Sequence, residues 1–268
     1  MLFWAFLLLA AAASLLICIL VGYSGFAFAG FFLLFTLCCF LGIFFLYVLF
    51  LWVLSLFIRK DKTETEEIPF YRFLLVETIG LILTVFRVQL HTEGLELLPS
   101  GTFQLVGNHR SGFDPLLSIW ALRRRRLNYV SKPSNFLIPI AGALMRKCGF
   151  LSIDRDDDRK ALRTILAAAD RMQRGVYCFG IYPEGTRSRT GELLPFRNGC
   201  FKAAQRAGVP IVVMATKGAE KIMKNVPWRP TQVQLKVCGV LDAETVKHAK
   251  TAEISETVRE MLLQALQE

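Results

Sequence analysis

FQLVGNHRSGFDPLLSIW, residues 103–120, is the stretch from which the fold can be read. It opens on the apolar run 103–106 and closes on a second, 116–120, with NHRSGFD between them. That outline predicts a strand, a loop and a helix. His109 stands at the strand exit, and Asp114 stands at or near the helix cap, just before Pro115. Imidazole has an unperturbed pKa of about 6.5, so it can take a proton and return it. It does so efficiently when an acceptor holds its other ring nitrogen, and a carboxylate five residues on can be that acceptor. The same residues also describe a loop histidine beside a capping aspartate, so this stretch alone leaves both readings open.

Downstream the alternation continues. Strands are expected at 128–131, 150–153, 176–181, 211–214 and 233–237. Helices are expected at 116–123, 138–147, 159–173, 200–206 and 251–266. In 159–173, Leu162, Ile165, Leu166, Ala169 and Met172 recur on one helical face. Strand and helix in turn mean an α/β domain, with a mostly parallel central sheet flanked by helices.

Upstream the composition changes. All 32 Lys and Arg and all 22 Asp and Glu lie after Ile58, so the net charge of +10 belongs to the rest of the chain. Residues 2–21 form an apolar run of roughly one bilayer crossing, and 26–58 form a longer one. GYSG, 22–25, is a turn signal between them. The chain is therefore divided into a membrane-embedded helical hairpin (1–58), a linker and interfacial amphipathic segment (59–100) and an α/β domain (101–268). Arg59, Lys60 and Lys62 follow the hairpin at once, which places its end in the cytoplasm. A cleaved signal peptide is disfavoured, because the first run lacks a basic start. A spanning and a one-leaflet hairpin read alike, so the protein is expected in the cell membrane, integral or monotopic. Residues 69–90 fit an amphipathic helix at the interface or a helix packed on the main domain.

A basic domain beside a membrane segment points to anionic lipid or an acidic carrier as partner. No nucleic-acid motif is present, so nucleic acid is not expected. The run Arg123, Arg124, Arg125, Arg126 fits lipid headgroups, an acidic carrier or a solvated helix end equally.

The second informative stretch, 179–199, reads FGIYPEGTRSRTGELLPFRNG. A strand ends at Tyr182-Pro183, and a loop of about fifteen residues follows, a length that is usually functional or disordered. It carries Glu184, Gly185, Thr186, Arg187, Arg189 and Arg197. Glycine lets backbone approach a ligand, and arginine pairs with phosphate in a bidentate fashion. A nucleotide P-loop is excluded, because its lysine is missing. In GFLSIDR, 149–155, Arg155 lies at the mouth of a strand, where α/β domains gather ligand groups; a surface ion pair is the plain reading. The seven cysteines have no Cys-x-x-Cys spacing, and the three histidines form no ligand pair, so neither disulfides nor a metal are expected. No Gly-x-Ser-x-Gly elbow occurs, and no cysteine is set up as a nucleophile, so an acyl-enzyme is not indicated.

NHRSGFD, GFLSIDR, YPEGTRS and VPIVV occur in the order and at about the spacing of the four motif blocks of the glycerolipid acyltransferases. The chain most resembles the 1-acylglycerol-3-phosphate (lysophosphatidic acid) acyltransferases, over roughly residues 103–218. The resemblance implies that His109 is the general base and Asp114 its orienting carboxylate. It implies that Arg155, Glu184, Gly185, Thr186 and Arg187 hold the glycerophosphate. Lys132 stands where relatives often carry a basic residue and is a third phosphate contact on that reading. Arg197 stands where many carry lysine. The implied reaction is acyl transfer from acyl-CoA or acyl carrier protein to the 2-hydroxyl of lysophosphatidic acid, with no bound cofactor. The Gly185 N–H is nominated for the oxyanion. Two other readings remain: an acyltransferase for glycerol 3-phosphate or another lysophospholipid, and a non-catalytic protein that binds anionic lipid.

Overall fold

The computed structural model describes residues 1–60, 63–154 and 157–267, and of Asp158 only the backbone. The chain forms two compact units, Met1–Lys60 and Asp61–Glu268.

The first unit is a helical hairpin of α1 (Leu2–Val21) and α2 (Gly25–Leu56). Gly22, at φ 79, ends α1 in the left-handed conformation that a residue without Cβ adopts freely. Every fourth residue of one α1 stripe, Phe6, Ala10, Ser14 and Cys18, is buried. Ring contacts at 5.4 Å, Phe6 with Tyr47 and Phe3 with Phe40, join the two helices. The polar Ser14 and Thr36 hydroxyls donate to the carbonyls of Ala10 and Phe32, four residues back. The outer surface carries exposed Leu8, Leu16, Leu20 and Leu33. Both helices have a mean hydropathy of 2.7 and are long and apolar enough to cross a membrane. Water does not sustain an apolar surface of this extent, and lipid does. The chain is membrane-associated.

The second unit is built on seven strands: β1 (Val88–Glu93), β2 (Gln104–Gly107), β3 (Leu127–Ser131), β4 (Leu151–Ser152), β5 (Cys178–Ile181), β6 (Ile211–Lys217) and β7 (Thr231–Leu241). They form one sheet in the order β1-β7-β6-β2-β5-β3-β4. The β6–β7 pairing is antiparallel and the others are parallel, so the expected mostly parallel sheet is present. The helices are α3 (Pro69–Val85), α4 (Asp114–Ala121), α5 (Ala141–Lys147), α6 (Asp158–Gln173), α7 (Lys202–Ala207), α8 (Ile222–Asn225), α9 (Ala243–His248) and α10 (Thr251–Gln267).

Every residue of β2 and β5 is buried, as in strands covered on both faces. One face of the central strands, with Val106, Phe179, Ile181, Ile211 and Val213, shares a core with Ile165 and Met172 of α6 and Ile254, Val258 and Leu262 of α10. Asp157 caps α6 by accepting from the Arg159 and Lys160 amides, each at 3.0 Å.

Within 59–100, α3 and β1 belong to the second compact unit. There β1 pairs with β7 along its whole length. Of the two arrangements open for 69–90, the helix is the packed one. Leu74, Leu75, Ile79, Leu81 and Leu83 are buried, and only a few apolar side chains such as Phe70 and Phe73 stay exposed. Arg72 explains the choice. Its buried guanidinium donates to Leu127 O at 3.0 Å and to Asn128 Oδ1 at 2.8 Å, and Asn128 Nδ2 donates to Cys148 O at 2.6 Å. The arginine run is largely engaged on its own unit. Arg123 covers Trp120, Arg125 donates to Pro99 O and Ser100 O, and Arg126 pairs with Glu67 at 3.0 Å.

Replacing Arg72 leaves buried acceptors without donors. Arg72→Ala is expected to cost about 3 kcal/mol, and Arg72→Lys to recover less than half of it, because an ammonium lacks the fork. Denaturant unfolding of the purified variants measures both. A loss below about 0.5 kcal/mol, the size of an ordinary surface substitution, would remove Arg72 as the tie between α3 and β3.

Candidate active site

β2 and β5 are parallel neighbours, with Val106 opposite Ile181. Their C-terminal ends therefore deliver Asn108-His109 and Tyr182-Pro183-Glu184 side by side at one edge of the sheet, the usual ligand edge of an α/β fold. Asn108 sets the exit. Its side chain accepts from Thr216 N at 2.8 Å and donates to Thr216 O at 2.9 Å, so an amide side chain continues the β2–β6 ladder. Asn108 had no role in the sequence reading. A buried amide at a strand exit was the only available signal.

His109 and Asp114 meet as expected. Nδ1 of His109 lies 2.9 Å from Oδ2 of Asp114. The same oxygen accepts from the amides of Arg110 at 2.8 Å and Ser111 at 2.7 Å. The Asp114 side chain is fully buried and the His109 ring is 15% exposed. This bond orients the ring, keeps the proton on Nδ1 when imidazole is neutral, and leaves Nε2 as the nitrogen that can accept another. The capping reading is only partly met: Asp114 is the first residue of α4, and its carboxylate serves the preceding loop.

Tyr182 stacks on the His109 ring at 4.2 Å and 9°. Its hydroxyl donates to the Tyr129 hydroxyl at 3.3 Å; Tyr129 lies 2.6 Å from Ser118 Oγ, and Ser118 donates to Asp114 O at 2.9 Å. Burial pushes the Tyr129 hydroxyl up to about 12 and the Tyr182 hydroxyl well above its ordinary value, so both remain neutral. The Tyr129 ring fits only because Gly180 has no side chain; a Cβ there would lie 2.2 Å from it. The tyrosines were missed because their partners lie on three different elements.

Glu184 departs from its expected role. Its carboxylate is buried, accepting from His109 N at 2.7 Å and Leu194 N at 3.0 Å. It ties the β2 exit to the long loop and does not reach outward for a phosphate. The Gly185 N–H also departs from expectation. It closes a turn on Tyr182 O at 3.1 Å, at a φ of 69, and so is not free for an oxyanion. Thr186 and Arg187 are exposed, and the Arg187 guanidinium lies beside Gly112 in the His109 loop, where a Cβ would be 3.7 Å from Nη1. Arg197 packs against Gly185. Arg110 donates to Gly191 O across the loop. Lys132 stands exposed at the end of β3, one strand beyond β5. Arg155 lies outside the described residues.

A cavity of about 590 Å³ opens beside these strand ends. Its walls include Val130, Leu162, Ile165 and Ile181, and its polar lining includes Tyr182, Gly185, Arg197 and Lys202. Burial pushes the thiols of Cys148 and Cys178 up to about 12 and about 11, and Cys200, in the cavity wall, goes up as well. None of these three presents a thiolate. The site thus offers a carboxylate-oriented imidazole, arginine at the mouth and an apolar recess. That set can deprotonate a hydroxyl on an anionic, partly apolar molecule.

Comparison with known proteins agrees. Residues 89–217 match the acyltransferase family. A 1-acyl-sn-glycerol-3-phosphate acyltransferase of Haemophilus influenzae is 31% identical over 182 residues, covering 65% of this chain and 74% of that protein. A chloroplastic enzyme of that description from Brassica napus is 36% identical over 135 residues, 49% of this chain, but the match spans only 38% of the plant protein. The crystal structure of the 1-acyl-sn-glycerophosphate acyltransferase PlsC from Thermotoga maritima has the same fold. Its TM-score is 0.63 at 21% identity, covering 83% of this chain and 88% of that one.

Burial holds the Glu184 carboxyl above its ordinary range, against the pull of its two amide donors. An acid with a raised folded pKa binds more protons folded than unfolded between the two values. Its contribution to stability therefore falls as pH rises from about 4.3 through the folded value. Glu184→Gln is expected to abolish that part of the slope. Unfolding midpoints taken from acid to neutral pH check it, and an unchanged slope would assign the proton elsewhere.

Proposed function

Since the chain belongs to the acyltransferase family, we propose that it moves an acyl group from a thioester to the 2-hydroxyl of lysophosphatidic acid, giving phosphatidic acid. The observation that carries this is the bond from His109 Nδ1 to the buried Asp114, with exposed Arg187 beside the same loop and an apolar cavity lined by Arg197 and by the Tyr182 that stacks on the ring. The description of the Haemophilus influenzae relative supports the choice of acceptor.

On this reading His109 Nε2 takes the proton of the 2-hydroxyl. The oxygen attacks the thioester carbonyl and forms a tetrahedral intermediate. The C–S bond breaks, the ester remains on the acceptor, and the imidazolium returns its proton to the departing thiolate. Asp114 offsets the positive charge that passes through the ring. Arg187, with Arg155 as a second candidate, pairs with the phosphate, which an arginine fork fits. Lys132 is a more distant basic group for that phosphate or for the donor. Glu184 and Gly185 act through the backbone they hold, and Thr186 offers an exposed hydroxyl beside Arg187. The cavity is of a size and polarity suited to an acyl chain. The donor is acyl-CoA or acyl carrier protein, both acidic, in keeping with a basic unit, and the reaction needs no resident cofactor. The hairpin holds the protein in the cell membrane, with the catalytic unit on the cytoplasmic side, as Arg59, Lys60 and Lys62 after the hairpin suggest.

Turnover with labelled acyl-CoA and a panel of lysophosphatidate, glycerol 3-phosphate and zwitterionic lysophospholipids tests the proposal. Product is expected from lysophosphatidate, falling by about 10²-fold or more in His109→Ala. Retention of near wild-type rate by that variant would overturn the mechanism. Product from another acceptor alone would change the substrate assigned. Arg187→Ala is expected to raise KM for the phosphate acceptor by about tenfold with kcat little changed, the loss of one charge-assisted contact. An unchanged KM would remove Arg187 from the phosphate site.

A further inference from the structure

The connection from β6 to β7 leaves the same edge of the sheet as His109, because β6 runs parallel to β2. It reads GAEKIMKNVPWRP over 218–230. Trp228 is 83% exposed and Met223 65% exposed, the two largest uncovered apolar side chains of the connection. Lys221, Lys224 and Arg229 are exposed around them, while the one acid, Glu220, buries its Oε2.

This projection is held firmly. Arg87 donates from its guanidinium to Pro227 O at 3.1 Å and Trp228 O at 3.2 Å, and its carbonyl accepts from Thr231 N at 3.1 Å. Arg87 itself sits at φ 53, a left-handed conformation that a side chain normally avoids and that persists where its surroundings fix it. Next to it, Phe86 packs on Phe113 of the His109–Asp114 loop at 5.2 Å, and Val85 is exposed. An apolar and basic strip therefore runs from the active-site loop to Trp228.

We propose that this strip is a second membrane contact, in which Trp228 and Met223 enter the interface of an anionic bilayer while Lys221, Lys224 and Arg229 meet its headgroups. Tryptophan with flanking lysine and arginine is the composition of an interfacial anchor, with the ring at headgroup depth and the cations on the phosphates. A protein partner fits less well, since a stable interface needs about 800 Å² on each side and this patch presents two large apolar side chains. The contact would present lipid to the loop that carries His109. That use rests on the acceptor proposed above, whereas the contact itself does not.

The test uses the full chain reconstituted in vesicles of phosphatidylcholine and phosphatidylglycerol. The difference in emission between wild type and Trp228→Phe isolates that indole from Trp4, Trp52 and Trp120. Lipids brominated high on the acyl chain are expected to quench most of the difference emission, and iodide in the buffer little of it. The double variant Lys221→Gln, Lys224→Gln is expected to become more accessible to iodide. Emission quenched by iodide and not by bromolipid would leave the loop in water and overturn the proposal. Emission quenched by neither would place it against protein and overturn it equally. No turnover is read, so a wrong acceptor assignment leaves this result intact.

Discussion

A buried carboxylate needs donors, and at Asp114 the loop before α4 supplies them to one of its two oxygens. One carboxylate oxygen collects the His109 ring and two successive amides within 2.9 Å. Taking a carboxylate out of water is costly, and three donors on Oδ2 offset part of that cost, while buried Oδ1 has no partner among the described residues. The β2 exit must then be immobile, and Asn108 secures it by pairing with Thr216 through both of its amide atoms. The imidazole is thus held at its Nδ1 edge by Asp114, on one face by Tyr182, and at its backbone by Glu184.

The loop after β5 divides by depth. Tyr182 stacks on the ring, the Glu184 carboxylate accepts from the His109 amide, and the Ser188 backbone amide donates to the His109 carbonyl. Thr186 and Arg187 turn outward. Gly185 stands between the two sets because the reversal requires a positive φ. A single motif therefore combines a rigid brace with a cationic rim. The brace cannot itself bind the anion, since an inward carboxylate would repel it and its oxygens are already occupied.

What local pattern determines was legible beforehand. The apolar runs around NHRSGFD and the alternation after them carry the sheet, and His109 with Asp114 carries the site. What depends on distant partners was not. β1, of which only Val88 and Leu90 are even half-buried, has its partner about 140 residues away in β7. Arg72 looks interfacial until Asn128 and Leu127 are placed beside it. Glu184 and the Gly185 N–H were assigned to a ligand because sequence shows which groups are polar and not which backbone groups they already serve. Tyr182 passed as the last residue of a strand, since its value lies in a ring from another strand end. In each case a long-range contact decided between two locally equal choices.

On the proposed reading, the position of His109 fits a direct transfer without an acyl-enzyme. It stands at the end of β2, between two regions of the sheet edge. On the β5 side lies the cavity walled by α6 residues such as Leu162 and Ile165. On the other side lies the path through Phe113 and Phe86 toward Arg87 and Trp228. A donor chain in the cavity and an acceptor arriving along the strip would meet at the imidazole from opposite directions. Direct transfer requires both substrates together, and two separate approaches permit that, whereas a covalent relay is suited to one shared pocket used twice. The buried thiols point the same way, because burial suppresses the thiolate that a relay would use. On the proposed reading a single base, with no nucleophile among the described residues of the site, is consistent with this two-sided access.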